Sequence, residues 1–148
     1  MNRIAPIARV LLGLAFVTFG LNFFVPFLPA PTHAMPPEAG MLAGGLAASG
    51  LFTLIKIVEV AAGLALVVNR MVPLALALLA PVLVGIVGFH VGLGVPGAGP
   101  GLALLALELV VAWSYRSAFR PMLRLHVTPD AVVPAASRTR IGSAGAVA

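Results

Sequence analysis

Cysteine is absent from the 148 residues. That excludes disulfides, thiolate nucleophiles, iron–sulfur ligation and any dithiol relay within the chain. Charge is scarce as well: 9% of residues are charged against 61% hydrophobic, and the mean hydropathy is +1.12. Soluble domains carry charge at about a quarter of their positions, so the composition belongs to the membrane class. The net charge is +5, but no folded basic module accompanies it, and no nucleic-acid partner is expected. The three histidines lie far apart. His33, His90 and the glutamates have no close ligand spacing, so no metal site is expected.

What the chain does have is four apolar runs, at residues 7–28, 51–68, 71–93 and 101–116. A membrane-spanning helix needs about 20 mostly apolar residues, and in lipid only helices satisfy the backbone within runs of this kind. The second and fourth runs are short but can extend by a turn into their flanks. The expected fold class is therefore all-α, an integral membrane four-helix bundle over residues 1–125. Residues 126–148, rich in Pro, Ser, Ala and Gly, read as a disordered cytoplasmic tail. Pro73 suits a helix start; Pro81 is expected to kink the third helix. The first connection reads as an extended Pro-rich start followed by a short interfacial helix over Glu38 to Ser49. Asn69-Arg70 is short enough to make its flanking helices antiparallel neighbours. The first run has a rival reading as a signal peptide, with Thr32-His33-Ala34 as a loose cleavage site. Its length and the interruptions at Asn22 and Pro26 favour a span.

Arg3 and Arg9 are expected to precede the first helix, Arg70 fills the second connection, and Arg116, Arg120, Arg124, Arg138 and Arg140 follow the fourth. With four spans all arginines fall on one side, which the positive-inside rule makes cytoplasmic together with both termini. Three spans would break that agreement. The expected location is the bacterial cytoplasmic (inner) membrane, crossed several times.

Ionisable residues inside apolar runs are costly, by about 3 kcal/mol or more at the bilayer centre, and belong inside the bundle. Here they are Lys56, Glu59, His90 and Glu108, with Thr18 and Asn22 adding a polar stripe to the first helix. At about 1.5 Å per residue, Asn22 stands about 20 Å from Arg9, Lys56 about 21 Å and Glu59 about 16 Å from Arg70, and Glu108 about 12 Å from Arg116. His90, about 30 Å along its helix, is nearest the outer face. Lys56 and Glu59, three apart, share a face and can pair. Only His90 then remains to balance Glu108, so either Glu108 carries a proton or His90 a charge. Asn22, Lys56, Glu59, His90 and Glu108 are thus candidates for an intramembrane polar pocket. Their other reading is purely structural, as devices that fix helix register. Gly13, Gly20, Gly63, Gly85 and Gly88 are expected to permit close helix packing. Trp113 and Tyr115 form an interfacial aromatic belt. Arg116, Arg120 and Arg124 repeat every four residues, placing them on one helical face against anionic lipid headgroups or a docking partner.

Taken jointly, several segments resemble the DoxX-like family of small bacterial four-helix membrane proteins. They are Arg9-Val-Leu-Leu-Gly13 leading to Phe19-Gly-Leu-Asn22; Met35-Pro-Pro-Glu38; Ser49-Gly50 leading to Leu54-Ile-Lys-Ile-Val-Glu59; Arg70-Met-Val-Pro73; Pro81 through Phe89-His90; and Leu107-Glu108 through Ala112-Trp113-Ser-Tyr-Arg116 and Phe119-Arg-Pro121. The resemblance covers about residues 7–124. Family members often carry Asn five residues before the histidine of the third helix. Gly85 stands there in this chain, which implies an altered pocket.

The resemblance implies a redox-linked role, since the family is named for a subunit of a quinone-reducing sulfur oxidoreductase and other members associate with oxidative-stress enzymes. Three readings follow. The first is a redox-associated membrane subunit whose polar pocket takes a quinone-like or other small apolar ligand. No cofactor is expected in the chain itself, so electrons come from a redox-enzyme partner or from the ligand. The second is a small transporter or proton-permeation unit, which would need a homo-oligomer because four helices enclose little space. The third is a non-catalytic scaffold in the lipid.

Overall fold

The computed structural model describes residues 3–29 and 34–126. Among them the regular elements are all helical: α1 (Ile4–Phe24), α2 (Pro37–Ala48), α3 (Leu51–Val67), α4 (Val72–Gly92), α5 (Ala98–Ser114) and α6 (Arg116–Phe119), which runs into a 3-10 turn at Arg120–Leu123. The expected tail lies outside the described residues from position 127 onward, as do Thr32, His33, Arg138 and Arg140. With 21 residues each, α1 and α4 are long and apolar enough to cross a membrane. Two further spans are counted if the bent pairs each form one: α2 with α3, at 81°, and α5 with the C-terminal turns, at 78°. The chain therefore has two to four candidate membrane-spanning helices.

The helix ends have local causes. α1 begins earlier than expected, at Ile4, and stops at Phe24 rather than near Leu28. Asn22 Oδ1 accepts the backbone N–H groups of Phe27 at 2.9 Å and Leu28 at 2.7 Å, folding the chain back after the helix. Arg9 consequently lies inside α1 and not before it, which corrects the sequence expectation. Between α2 and α3 the chain turns at Gly50, whose φ of +76° suits a residue without Cβ. α3 closes with Asn69 N–H donating to Leu66 O at 3.2 Å and Arg70 N–H to Ala65 O at 2.8 Å. This is the paired closure of a helix whose second residue past the end, Asn69, is left-handed at φ +58°. Pro73 sits in the first turn of α4, where no N–H is needed, and α4 runs through Pro81 as one helix.

At the other end of the chain, the four-residue spacing of Arg116, Arg120 and Arg124 does not become one α-helical face. The α-helix gives way to a 3-10 turn at Arg120, with Pro121 in its first turn, and Arg124 is extended. A 3-10 helix brings positions three apart into line, so a period of four loses register there.

Contacts fix how the helices lie. α1 packs against α3 and α5, and α4 packs against the same two, so α3 and α5 occupy diagonal positions of a ring. Arg9 meets Leu66, Gly13 meets Gly63, Gly20 meets Val60 and Phe23 meets Phe52. Positions rise along α1 as they fall along α3, so the two run antiparallel. Gly101 against Ile86 and Gly97 near His90 show the same for α5 and α4. Tyr115 OH donates to Asn69 Oδ1 at 3.2 Å. The start of α1, the α3–α4 turn and the end of α5 thus share one end of the molecule.

Both sides of each long helix are apolar, so hydrophobicity does not distinguish inside from outside. Large residues such as Leu11, Ile57, Leu78 and Leu109 point outward. The buried rows mix large aliphatics with small residues: Ala8, Leu12, Phe16 and Gly20 on α1, and Ala62, Gly63 and Leu66 on α3. Close backbone approach, which drives helix association where lipid is as apolar as leucine, needs those small residues. A Cβ on Gly13 would stand 2.7 Å from Gly63 O, and one on Gly63 would stand 2.8 Å from Gly13 O. Gly20 is equally tight against Val60. Gly85 and Gly88 depart from expectation: a Cβ at either position would meet open space.

Candidate functional site

Three charged side chains are buried among the described residues: Arg9, Glu59 and Glu108. Each lies on the inward row of its helix, as the cost of placing charge against lipid requires.

Glu59 is the middle residue of α3 and is 1% exposed. Lys56, one turn earlier on the same face, gives Nζ to Glu59 Oε1 and Oε2, each at 2.9 Å. This is the pairing read from their i, i+3 spacing. The ammonium also stands 5.2 Å from the centre of the Phe52 ring, which meets Phe23 of α1 edge to face. The pair is therefore satisfied within α3 and shielded by aromatics at the end away from Arg70.

Glu108 lies diagonally across the ring on α5, at 4% exposure, in line with buried Gly101 and Val111. Its Oε1 has no hydrogen-bond partner among the described residues. Counted at 1.5 Å per residue, Glu108 is about 10 Å from the level of Tyr115 and Glu59 about 15 Å from the level of Asn69. Because Tyr115 and Asn69 are bonded, the two carboxylates occupy neighbouring depths on opposite walls of the helix ring.

The remaining candidates do not join them. Asn22 spends its carbonyl on Phe27 and Leu28 in the turn after α1. His90 is two residues from the end of α4, with Nδ1 3.3 Å from Val95 O and its ring edge-on to Phe89. Both are loop-fixing residues at the end opposite the arginines. Among the described residues no group of three or more His, Asp or Glu is placed to hold a metal ion.

Sequence reasoning missed the role of Arg9, treating it only as a topological charge. Its Nη1 donates to Leu66 O and, at 3.3 Å, to Val67 O. These are among the last carbonyls of α3, where the helix dipole favours a cation. The available signal was Arg9 standing four residues before Gly13, on the row that meets α3.

At the C-terminal end of α5, Trp113 is exposed and carries the Arg116 guanidinium 5.5 Å from its ring centre, while Arg116 Nη1 donates to Trp113 O at 3.1 Å.

The fold and the site together define a helical protein with two to four candidate membrane spans and charge buried inside them. No family model, curated protein or solved structure matches the chain.

Proposed function

We propose that the chain is a DoxX-like integral membrane protein with four spans, a redox-associated subunit that holds a quinone-like or other small apolar molecule between α3 and α5. On this reading it lies in the bacterial cytoplasmic membrane with both termini in the cytoplasm. The arginine distribution supports that orientation: Arg3, Arg9, Arg70, Arg116, Arg120 and Arg124 belong to the end that carries the start of α1, the α3–α4 turn and the end of α5. α3 and α5, with 17 residues each, reach about 26 Å, a little under a hydrocarbon core of about 30 Å. Their bent companions, α2 and α6, would lie in the two interfaces.

The observation that carries the functional part is the buried Oε1 of Glu108, without a hydrogen-bond partner among the described residues, on the helix diagonal to the one that holds the Lys56–Glu59 pair. A group that only fixed helix register would be expected to find a partner, as Lys56 and Glu59 do. The test is a census of what copurifies in native lipid particles, wild type beside Glu108→Met, read by mass spectrometry. A quinone or redox enzyme that accompanies the wild type and is lost from the folded variant is the expected result. Lipid alone in both samples overturns the reading.

One observation favours a second reading, a non-catalytic scaffold. Lys56 and Glu59 pair with each other through both carboxylate oxygens, as a packing device would. That reading expects an apolar replacement of the pair to leave every partner in place.

A further inference from the structure

The donors and acceptors buried in the helix interior do not balance. Arg9 has given its guanidinium to the carbonyls that end α3. Lys56 has given a hydrogen to each oxygen of Glu59. No other Lys or Arg among the described residues is buried or half-buried. Glu108 therefore has no cation to turn to, and its Oε1 is buried without a donor. Whether or not a carboxyl group carries a proton, one of its oxygens can only accept. An acceptor removed from water and left unmade is costly, and what relieves the cost is a donor.

The surroundings restrict what can bring that donor. Gly101 and Val111 are buried on the same row, and Leu104, Leu105, Leu107 and Ala112 pack against the core around it. A hydrated or highly charged ligand would be stripped of water with nothing to replace it. An apolar molecule whose only polar atoms are carbonyl or ether oxygens can at most receive a carboxyl proton, and in either protonation state it leaves the accepting oxygen without a donor. An apolar molecule with a hydroxyl group meets both conditions: its body suits the leucines and its O–H completes Oε1.

We infer that Glu108 Oε1 is the docking point for the hydroxyl group of a small apolar molecule, and that the site selects the hydroxyl-bearing form over its carbonyl or ether counterpart. The inference rests on the apolar-ligand reading above and narrows its ligand class. The hydroxyl can belong to a hydroquinone or to a lipid alcohol, which share this chemistry.

The test uses the full chain in nanodiscs of saturated phosphatidylcholine, which has no free hydroxyl. Retention of four probes is measured against protein-free discs: a decyl hydroquinone, its dimethyl ether, the parent quinone and dioctanoylglycerol. A hydrogen bond to a charged or buried acceptor gives a preference of about tenfold for a hydroxyl probe over the ether. The same measurement on Glu108→Met, which keeps side-chain length and removes both oxygens, should show no preference. Preference for the hydroquinone alone names the phenolic source; preference for dioctanoylglycerol alone names the lipid alcohol. The ether comparison is made within the wild type, so it stands even if the variant does not fold. Equal retention of hydroquinone and ether, or a preference that survives in Glu108→Met, overturns the inference. Binding of quinone and hydroquinone alike does so while leaving the apolar-ligand reading intact. Retention of none of the probes also overturns it, and the copurification census then decides the redox-subunit reading on its own.

Discussion

Glu59 and Glu108 both place a carboxyl group in the middle of a helix ring, yet replacing them should have opposite effects. Glu59→Gln strands the Lys56 ammonium, and breaking a buried pair on one side costs about 3–5 kcal/mol. Glu108→Met removes an acceptor that has no partner among the described residues, so stability should hold or rise. Thermal unfolding in detergent by circular dichroism should rank Glu108→Met at or above the wild type and Glu59→Gln well below both. A Glu59→Gln protein as stable as the wild type would sink this account of the pair. Lys56→Met combined with Glu59→Leu should recover most of the loss, because no lone charge remains. Arg9→Met should cost about 1–3 kcal/mol by taking its donor from Val67 O and leaving Leu66 O with the Asn69 N–H alone, checked in the same unfolding series. Among the residues, the Lys56–Glu59 pair was readable because both members sit on one helix and spacing alone decides their distance. Asn22 and His90 were not, since each is claimed by a turn whose path depends on the residues after the helix. Arg9 was hidden for a similar reason: its acceptors are 57 residues away in sequence.

The α1–α3 contact rests on backbones that touch. Gly13→Val or Gly63→Val should destabilise by about 1–3 kcal/mol or more through overpacking, because the nearest atom to each new Cβ is a carbonyl oxygen of the opposite helix. Gly85→Ala and Gly88→Ala meet nothing and should leave unfolding unchanged or slightly raise stability by improving helix propensity. A loss at Gly85 or Gly88 equal to that at Gly13 would mean that α4 has a partner on that side. The same residue type on the same kind of apolar helix therefore has two meanings. Apolar length and turn chemistry made the elements readable to within a few residues. Which face of each turned inward was not readable from hydrophobicity, since outward leucines look like inward ones. The buried charges were the better guide: Glu59 and Glu108 both mark an inward row. The C-terminal arginines misled because a spacing of four implies an α-helix, and Pro121 begins a different one.

For the molecule as a whole, α3 and α4 were readable as neighbours from the Asn69-Arg70 connection, whereas the antiparallel runs of α1 with α3 and of α4 with α5 came from the contacts between them. The ring order was not, because apolar helices offer no sequence code for choosing among neighbours. Its consequence for orientation is directly testable in a chain that has no cysteine of its own. Met41 on α2 and Arg70 in the α3–α4 turn are exposed, and on the four-span reading they face opposite sides. Met41→Cys should react with a membrane-impermeant maleimide in intact cells, and Arg70→Cys only after the membrane is opened. The reverse pattern would invert the orientation, and equal labelling of both in intact cells would remove the four-span arrangement.

The contact between Arg9 and the end of α3 also sets a condition on how the protein is made. α1 leaves the ribosome with a guanidinium inside it, and the carbonyls that receive that group are synthesised 57 residues later. At 5–20 residues per second the delay is about 3 to 11 s. Throughout that interval the Arg9 guanidinium lacks these acceptors, and the helix lacks the glycine-lined neighbour that fits it. On the four-span reading α1 therefore waits near the insertion machinery or at the headgroup level, and its final depth is set when α3 arrives. The helix made earlier is in this sense the later of the two to be placed.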